Sequence, residues 1–340
     1  MKKVRYGFVG AGSIAKHRHV KEAAANKHAE IVAICDLHGK RAKELTDEYG
    51  GEVYTDWKKM IKEADIDAVV VCTPNVLHAP VSIAASKAGK HVLVEKPMST
   101  TRAEAKKMIE AAKAARKYLM VGQNQRLMPP HVKAKEILDS GRVGKAISFR
   151  SEFQHPGPDA WSAEGSKTWF YKKEHAIMGA MGDLGVHKVD LMRWLLSDDF
   201  VEVNAMVSTL DKKSDVDDHA VMVLKSKKGV VGQITASWIN YGPENNATVL
   251  YCTNGVIEIG ANPEASVVVT YKNYAGKEMH EVGAMASNTA QISSGIIDMF
   301  TESLLKKKKP VIDGAEGLAS VSVVLTAMEA AKQNKTLKVK

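Results

Sequence analysis

The apolar run 4–9 ends directly in Gly10-Ala11-Gly12-Ser13-Ile14-Ala15, and no other stretch of the chain restricts its fold as tightly. A strand that breaks into small residues and then opens a helix lets backbone approach a pyrophosphate, whose charge the helix N-terminus stabilises. Gly10, Gly12 and Ala15 give the turn its room, while Ser13 and Ile14 stand at the helix start. A Gly-x-Gly-x-x-Ala turn alone is a weak signal. Asp36 strengthens it, because it closes the second apolar run, where a carboxylate accepts the ribose hydroxyls and repels a 2′-phosphate. The expected cofactor is therefore NAD, with Lys40 and Arg41 close enough to offset that preference.

Short apolar runs at 4–9, 30–34, 68–72, 91–94 and 118–121 alternate with helix-like segments at 41–49, 57–63, 80–88 and 101–116. Such alternation predicts a doubly wound parallel sheet. Beyond Gly122 the pattern changes to a helix (131–140), a strand (146–153), an aromatic-rich loop (154–175) and a helix (183–196). Extended runs follow at 202–210, 219–225, 229–238, 247–252, 255–259 and 266–271, and helices at 292–305 and 314–333 close the chain. Their β-branched alternation reads as a mostly antiparallel sheet. The fold class is α/β: an NAD-binding Rossmann domain over 1–122 and an α+β domain over 123–340 for substrate binding and oligomerisation. One face of the second sheet should remain uncovered by helices, and Val221, Val223, Ile234 and Trp238 are expected there as an interface in a homodimer or homotetramer.

Ligands of open α/β sheets bind at strand carboxyl ends. Thr73-Pro74-Asn75 and Glu95-Lys96-Pro97 both follow such strands and are expected to line the cofactor. His78 is expected to pack at a helix start on the ribose side, among the cofactor contacts and not as a catalyst. Lys96 would face the nicotinamide as proton donor or orienter. In Gly179-Ala180-Met181-Gly182-Asp183-Leu184-Gly185-Val186-His187, Asp183 and His187 stand at i, i+4 on one helical face. A carboxylate there orients an imidazole and stabilises its charged form, as a general base needs when an alcohol is oxidised. Asp190, at i+3 from His187, is expected as a further orienter. Asn124 is expected beside the cofactor, and Arg126 and Trp169 beside the substrate, where an aromatic face can stack on a sugar ring.

These motifs resemble the family of glucose-fructose oxidoreductase and inositol dehydrogenase over essentially the whole chain. The resemblance rests on the Gly10 turn, Thr73-Pro74-Asn75-x-x-His78, Glu95-Lys96-Pro97, Gly122-x-Asn124-x-Arg126, and Asp183-x-Gly185-x-His187 with Asp190. It implies that Lys96, Asp183 and His187 match the family's catalytic Lys, Asp and His, and that hydride moves between NAD and a hydroxyl or carbonyl of a sugar, inositol or related polyol. Members often carry three glycines ahead of the Asp; here those places hold Ile177, Met178 and Gly179, so the substrate mouth should be reshaped. Whether Lys96 or His187 is the acid/base stays open. An NAD-dependent hydrolase or lyase working through transient oxidation is an alternative, as is a non-catalytic nucleotide sensor, which would not need these acid/base groups.

Composition narrows the partners. The chain has 340 residues, 48 Lys+Arg against 39 Asp+Glu, and a formal charge of +9. That excess is scattered, and the one basic run, Lys306 to Lys309, reads as a helix end; nucleic acid is not an expected partner. The three cysteines, Cys35, Cys72 and Cys252, form neither a disulfide framework nor a zinc spacing, which fits a reducing cytoplasm and no metal. No stretch approaches the roughly 20 apolar residues of a membrane helix, so a membrane is not expected as partner either.

Overall fold

A computed structural model of the protein describes residues 3–283 and 293–340. Six strands, β1 (Val4–Val9), β2 (Ala29–Cys35), β3 (Glu52–Tyr54), β4 (Ala68–Val71), β5 (His91–Val94) and β6 (Leu119–Val121), form one sheet in the order β3-β2-β1-β4-β5-β6. Every neighbouring pair is parallel. Strands β4 and β5 are almost wholly buried, which is why Ala68-Val69-Val70-Val71 and Val92-Leu93-Val94 run apolar without alternating. The strand order reverses between β1 and β4, so the carboxyl ends of β1, β2, β4 and β5 lie around the switch point where such sheets take ligands. Strand β3, three residues long and mostly exposed, carries too little pattern to be read from sequence.

The second sheet has nine strands: β7 (Ala146–Gln154), β8 (Phe200–Ser208), β9 (His219–Ser226), β10 (Val231–Ser237), β11 (Thr248–Cys252), β12 (Gly255–Ile259), β13 (Val267–Tyr271), β14 (Lys277–His280) and β15 (Leu337–Lys338). Their order is β14-β13-β12-β11-β7-β10-β9-β8-β15. The pair β7 and β10 is parallel and the other neighbours are antiparallel. The expected fold class is thus the observed one.

One expectation about this sheet is corrected. Ile234 and Trp238 are 0% exposed and face the interior, whereas Val223 is 50% exposed. The register explains the difference: Val221 stands opposite Thr235 and Val223 opposite Gln233, while Ile234 pairs with the buried Met222. Directly opposed residues share a face, and successive ones alternate. The outer face therefore carries Met206, Val223 and Val231.

The chain divides into two compact units. One comprises Met1–Gln123, Trp161–Ile177 and Ile292–Val321; the other comprises Asn124–Ala160, Met178–Gln291 and Ser322–Lys340. The division differs from a single cut at 122/123, because two later segments complete the first unit. Tyr6 Oη and Thr301 Oγ1 share a 2.7 Å hydrogen bond, and Val121 donates its N–H to Ile312 O at 2.9 Å. The helix Ile296–Leu305 starts later than the expected 292, and residue 292 itself lies outside the described residues. No described helix is long and apolar enough to cross a membrane.

Candidate functional site

In the first unit, Gly10 has φ +96°, and a Cβ there would meet Cys72 O at 2.4 Å, so only glycine lets β1 turn beside the end of β4. At Gly12 an added Cβ would meet nothing within 4 Å. Its bareness serves no packing inside the chain and leaves the turn open to a group from outside. Asp36 closes the turn: Oδ2 accepts from Ala11 N and Oδ1 from His38 N, each at 2.8 Å. The carboxylate thereby stands against the glycine turn, and a dinucleotide lying along that turn fits these residues. The helix start is a wide turn, Ala15–His19, in which Val20 N–H reaches back five residues to Ala15 O. Ser13 donates its hydroxyl to Trp161 O at 2.9 Å.

His19 and His78 organise the loops after β4 and β5. Buried His19 Nε2 lies 2.6 Å from Glu95 Oε1, and Glu95 Oε2 accepts from Lys96 N at 3.1 Å. Burial alone would push the Glu95 carboxyl up, but the His19 hydrogen bond, with the charges of His19, Lys96 and Arg18, holds it down at about 2. Gly122 is bare for the same carboxylate, since a Cβ there would stand 2.9 Å from Glu95 Oε1. His78 Nδ1 lies 2.7 Å from Pro97 O and Nε2 lies 2.9 Å from Thr73 O. Burial lowers its pKa, while the two carbonyls favour the charged ring. It thus ties Thr73-Pro74-Asn75 to Lys96-Pro97, whose peptide is cis. Asn75 donates to Ala176 O at 2.9 Å. Trp169 stacks on Phe170 at 3.8 Å, and Phe170 meets Trp161 edge-on at 5.1 Å, so its ring belongs to an aromatic trio of its own segment.

In the second unit, Asp183 and His187 are 5% and 7% exposed. Asp183 lies within a second wide turn, Met181–Gly185, where Val186 N–H bonds Met181 O, and His187 stands on the first turn of the helix Val186–Leu196 that follows. A wide turn takes more residues per revolution than an α-helix, so four positions fall just short of a full revolution instead of overshooting it, and the pair keeps a common side. Asp183 Oδ2 accepts from Trp238 Nε1 at 3.1 Å, and the His187 ring lies 5.9 Å from that of Phe153. Asp217 holds the helix start, accepting from Gly179 N at 2.8 Å and Met181 N at 2.7 Å. A Cβ at Gly179 would stand 1.8 Å from Asp217 O, so this glycine of the motif is fixed by close approach. Ile177 has φ +66°, a conformation suited to glycine, and buried Met178 packs its Cβ against Gly182.

Asp190, expected beside His187, is clasped by Arg126: Nε to Oδ2 and Nη2 to Oδ1, each at 2.6 Å. Both side chains are buried, as is Asn124. Lys188, fully buried, donates to Asn246 O at 2.9 Å, and burial pulls its pKa down to about 7 against the nearby charges of Glu244 and Glu152. Sequence reasoning passed over Asp217 and His19, and it assigned Trp238 to an interface and not to Asp183. The adjacent carboxylates Asp217-Asp218 directly before an apolar strand are a usable signal, because buried charges must find donors. Nothing local marks Trp238 or His19, whose partners are distant in sequence.

A six-stranded parallel sheet with this glycine turn and this acidic residue defines an NAD-binding Rossmann oxidoreductase. Residues 4–123 match the family described as "Oxidoreductase family, NAD-binding Rossmann fold", and residues 131–258 match "GFO/IDH/MocA C-terminal domain". Levoglucosan dehydrogenase of Pseudarthrobacter phenanthrenivorans is 30% identical over 291 residues, covering 76% of this chain and 73% of that protein. Inositol 2-dehydrogenase of Rhizobium meliloti is 26% identical and covers 99% of both chains. Among solved structures, levoglucosan dehydrogenase in complex with NADH and L-sorbose superposes with a TM-score of 0.88 at 25% identity, covering 100% of each chain. The chain belongs to the Gfo/Idh/MocA family.

Proposed function

We propose that this protein is a dehydrogenase that moves a hydride between NAD and a carbon bearing a hydroxyl in a sugar, inositol or related polyol. The observation that carries this reading is the helix start around Asp183 and His187, where a carboxylate and an imidazole stand buried on one side of a turn that Asp217 and Trp238 hold in place. When bound, NAD+ supplies the hydride acceptor. Lys96 and His187 act on the substrate hydroxyl, one taking its proton while the other donates a hydrogen bond to the same oxygen. Asp183 stabilises the charge that develops on His187. Residues 1–122 hold NAD, with Gly10, Gly12, Ser13, Ile14 and Ala15 at the pyrophosphate and Asp36 at the adenosine ribose. Thr73, Pro74, Asn75, Glu95, Pro97 and Asn124 line the remainder, with His78 acting through the two loops it joins. Residues 123–340 select the substrate. The names of the relatives support a carbohydrate or cyclitol substrate.

The outer face of the second sheet, with exposed Met206, Val223 and Val231, is proposed to join copies into a homodimer or homotetramer. Three buried, unbridged cysteines favour the cytoplasm. A panel of inositols, hexoses and sugar acids offered with NAD+ tests the reaction directly, read as net NADH formation. In that assay Lys96→Ala and His187→Ala should each lower kcat by about a hundredfold or more while NAD affinity persists. Turnover of a sugar derivative without net NADH would replace the dehydrogenase by a hydrolase or lyase.

A further inference from the structure

The segment Trp161–Ile177 lies far along the chain yet belongs to the first unit, and it meets the residues that follow the first two strands. Trp161 O accepts the Ser13 hydroxyl at 2.9 Å, and Glu164 Oε1 accepts from Arg41 Nη1 at 2.8 Å. The Glu164 carboxylate is itself fixed: its Oε2 accepts from Ser162 Oγ at 3.3 Å, and its N–H donates back to that hydroxyl at 3.2 Å.

Arg41 stands on the first turn of the helix Gly39–Tyr49, just beyond Asp36 and the His38 N–H that Asp36 holds. In dinucleotide enzymes of this fold an arginine so placed meets the 2′-phosphate of NADP, and its planar fork suits phosphate well. Asp36 repels that phosphate, but a free guanidinium beside it would cancel much of the repulsion. We propose that Glu164 sets the choice between NAD and NADP by engaging Arg41, so that the guanidinium on the turn beyond Asp36 is already neutralised. The inference rests on the proposed placing of the adenosine ribose at Asp36. Discrimination then has two parts, a negative charge at the ribose and a second one that occupies the arginine. Lys40, the other cation of that turn, is exposed to solvent and takes no part in the effect.

Direct titration of NAD and NADP into the full-length protein tests this without any substrate. Glu164→Gln keeps the side-chain length and the Ser162 hydrogen bond while removing the charge, and Glu164→Ala removes the acceptor as well. Each should tighten NADP binding by about tenfold, the size of one charge-assisted hydrogen bond, and leave NAD binding unchanged. Adding Arg41→Ala should abolish the gain, and raising the salt concentration should shrink it. Thermal unfolding of each variant without coenzyme reports that the fold is intact. An unchanged ratio of NADP to NAD affinity in both Glu164 variants overturns the proposal, as does a gain that survives Arg41→Ala. Failure of the underlying reading looks different: Asp36→Ala would then leave NAD binding untouched in the otherwise unmodified protein.

Discussion

The indole Nε1 of Trp238, the residue directly after β10, donates a 3.1 Å hydrogen bond to Asp183 Oδ2. Both groups are buried, so the carboxylate depends on this donor for part of its solvation. Trp238→Phe keeps an aromatic ring and removes the N–H. Leaving a buried acceptor short of a partner costs about 1–3 kcal/mol, so the denaturant midpoint should fall. If Asp183 positions His187, kcat should fall too, with NAD affinity retained. A variant with full turnover would separate Trp238 from the chemistry.

Arg126 and Asp190 form a buried two-point ion pair. Removing either partner strands a charge without its counter-charge, at a cost of about 3–5 kcal/mol. Arg126→Met or Asp190→Leu alone should therefore lower unfolding stability by that amount. The double replacement should recover much of it, because apolar pairs of similar volume are tolerated where ion pairs stood. Two single losses that simply add would argue that the two residues do not act as a pair.

Much of this arrangement is legible in the sequence. The glycine turn, Asp36 and the loops after β4 and β5 could be read because a doubly wound sheet places such residues by rule at its carboxyl edge. The partners could not. Asp190 was expected to serve His187 from i+3, but a buried carboxylate goes to its strongest donor, and the guanidinium of Arg126 lies 64 residues away in sequence. Ile234 and Trp238 lie on the face opposite to Val223 because alternation fixes which residues of one strand share a side, whereas the register between β9 and β10 decides which residues of the two strands do. Gly179 was seen as a motif residue, yet the reason for it, the carbonyl of Asp217, exists only once the two segments meet.

Stability should fall as the pH drops from neutral towards about 4. Burial, with the charge of Lys117 nearby, holds His91 down at about 4, and burial with the charge of Lys188 holds His131 at about 3. In the unfolded chain both histidines titrate near 6.5. The unfolded state therefore binds more protons between these values, so their contribution is complete above about 6.5 and is lost progressively below it. Unfolding free energies measured at several pH values should slope upward with pH. In a His91→Gln, His131→Gln double variant the slope should flatten; an unchanged slope would assign it to other groups.

Asp36 holds the N–H groups of Ala11 and His38, and the proposed function adds the adenosine ribose as its third partner. Asp36→Ala should weaken NAD binding by about 1.5–3 kcal/mol, the range for hydrogen bonds to a charged group. Asp36→Asn retains an acceptor and should lose less. Isothermal titration with NAD and with adenosine monophosphate locates the loss: both ligands should weaken together if the ribose is the contact.

The first unit is assembled from three separated stretches of chain, the last ending at Val321, and the second takes Ser322–Lys340. The helix Gly314–Gln333 contributes its start to one and its remainder to the other. Chains made on the ribosome commonly fold one domain at a time, beginning with the N-terminal one. That route is closed here. When β6 emerges, the backbone partner of Val121 at Ile312 and the hydroxyl partner of Tyr6 at Thr301 have not been synthesised. The nascent sheet must wait with its edge and its Glu22 carboxylate unsatisfied until Ser294 and the residues beyond it arrive. Neither unit can close on itself before those late segments have emerged, so the N-terminal sheet does not fold as an independent first step.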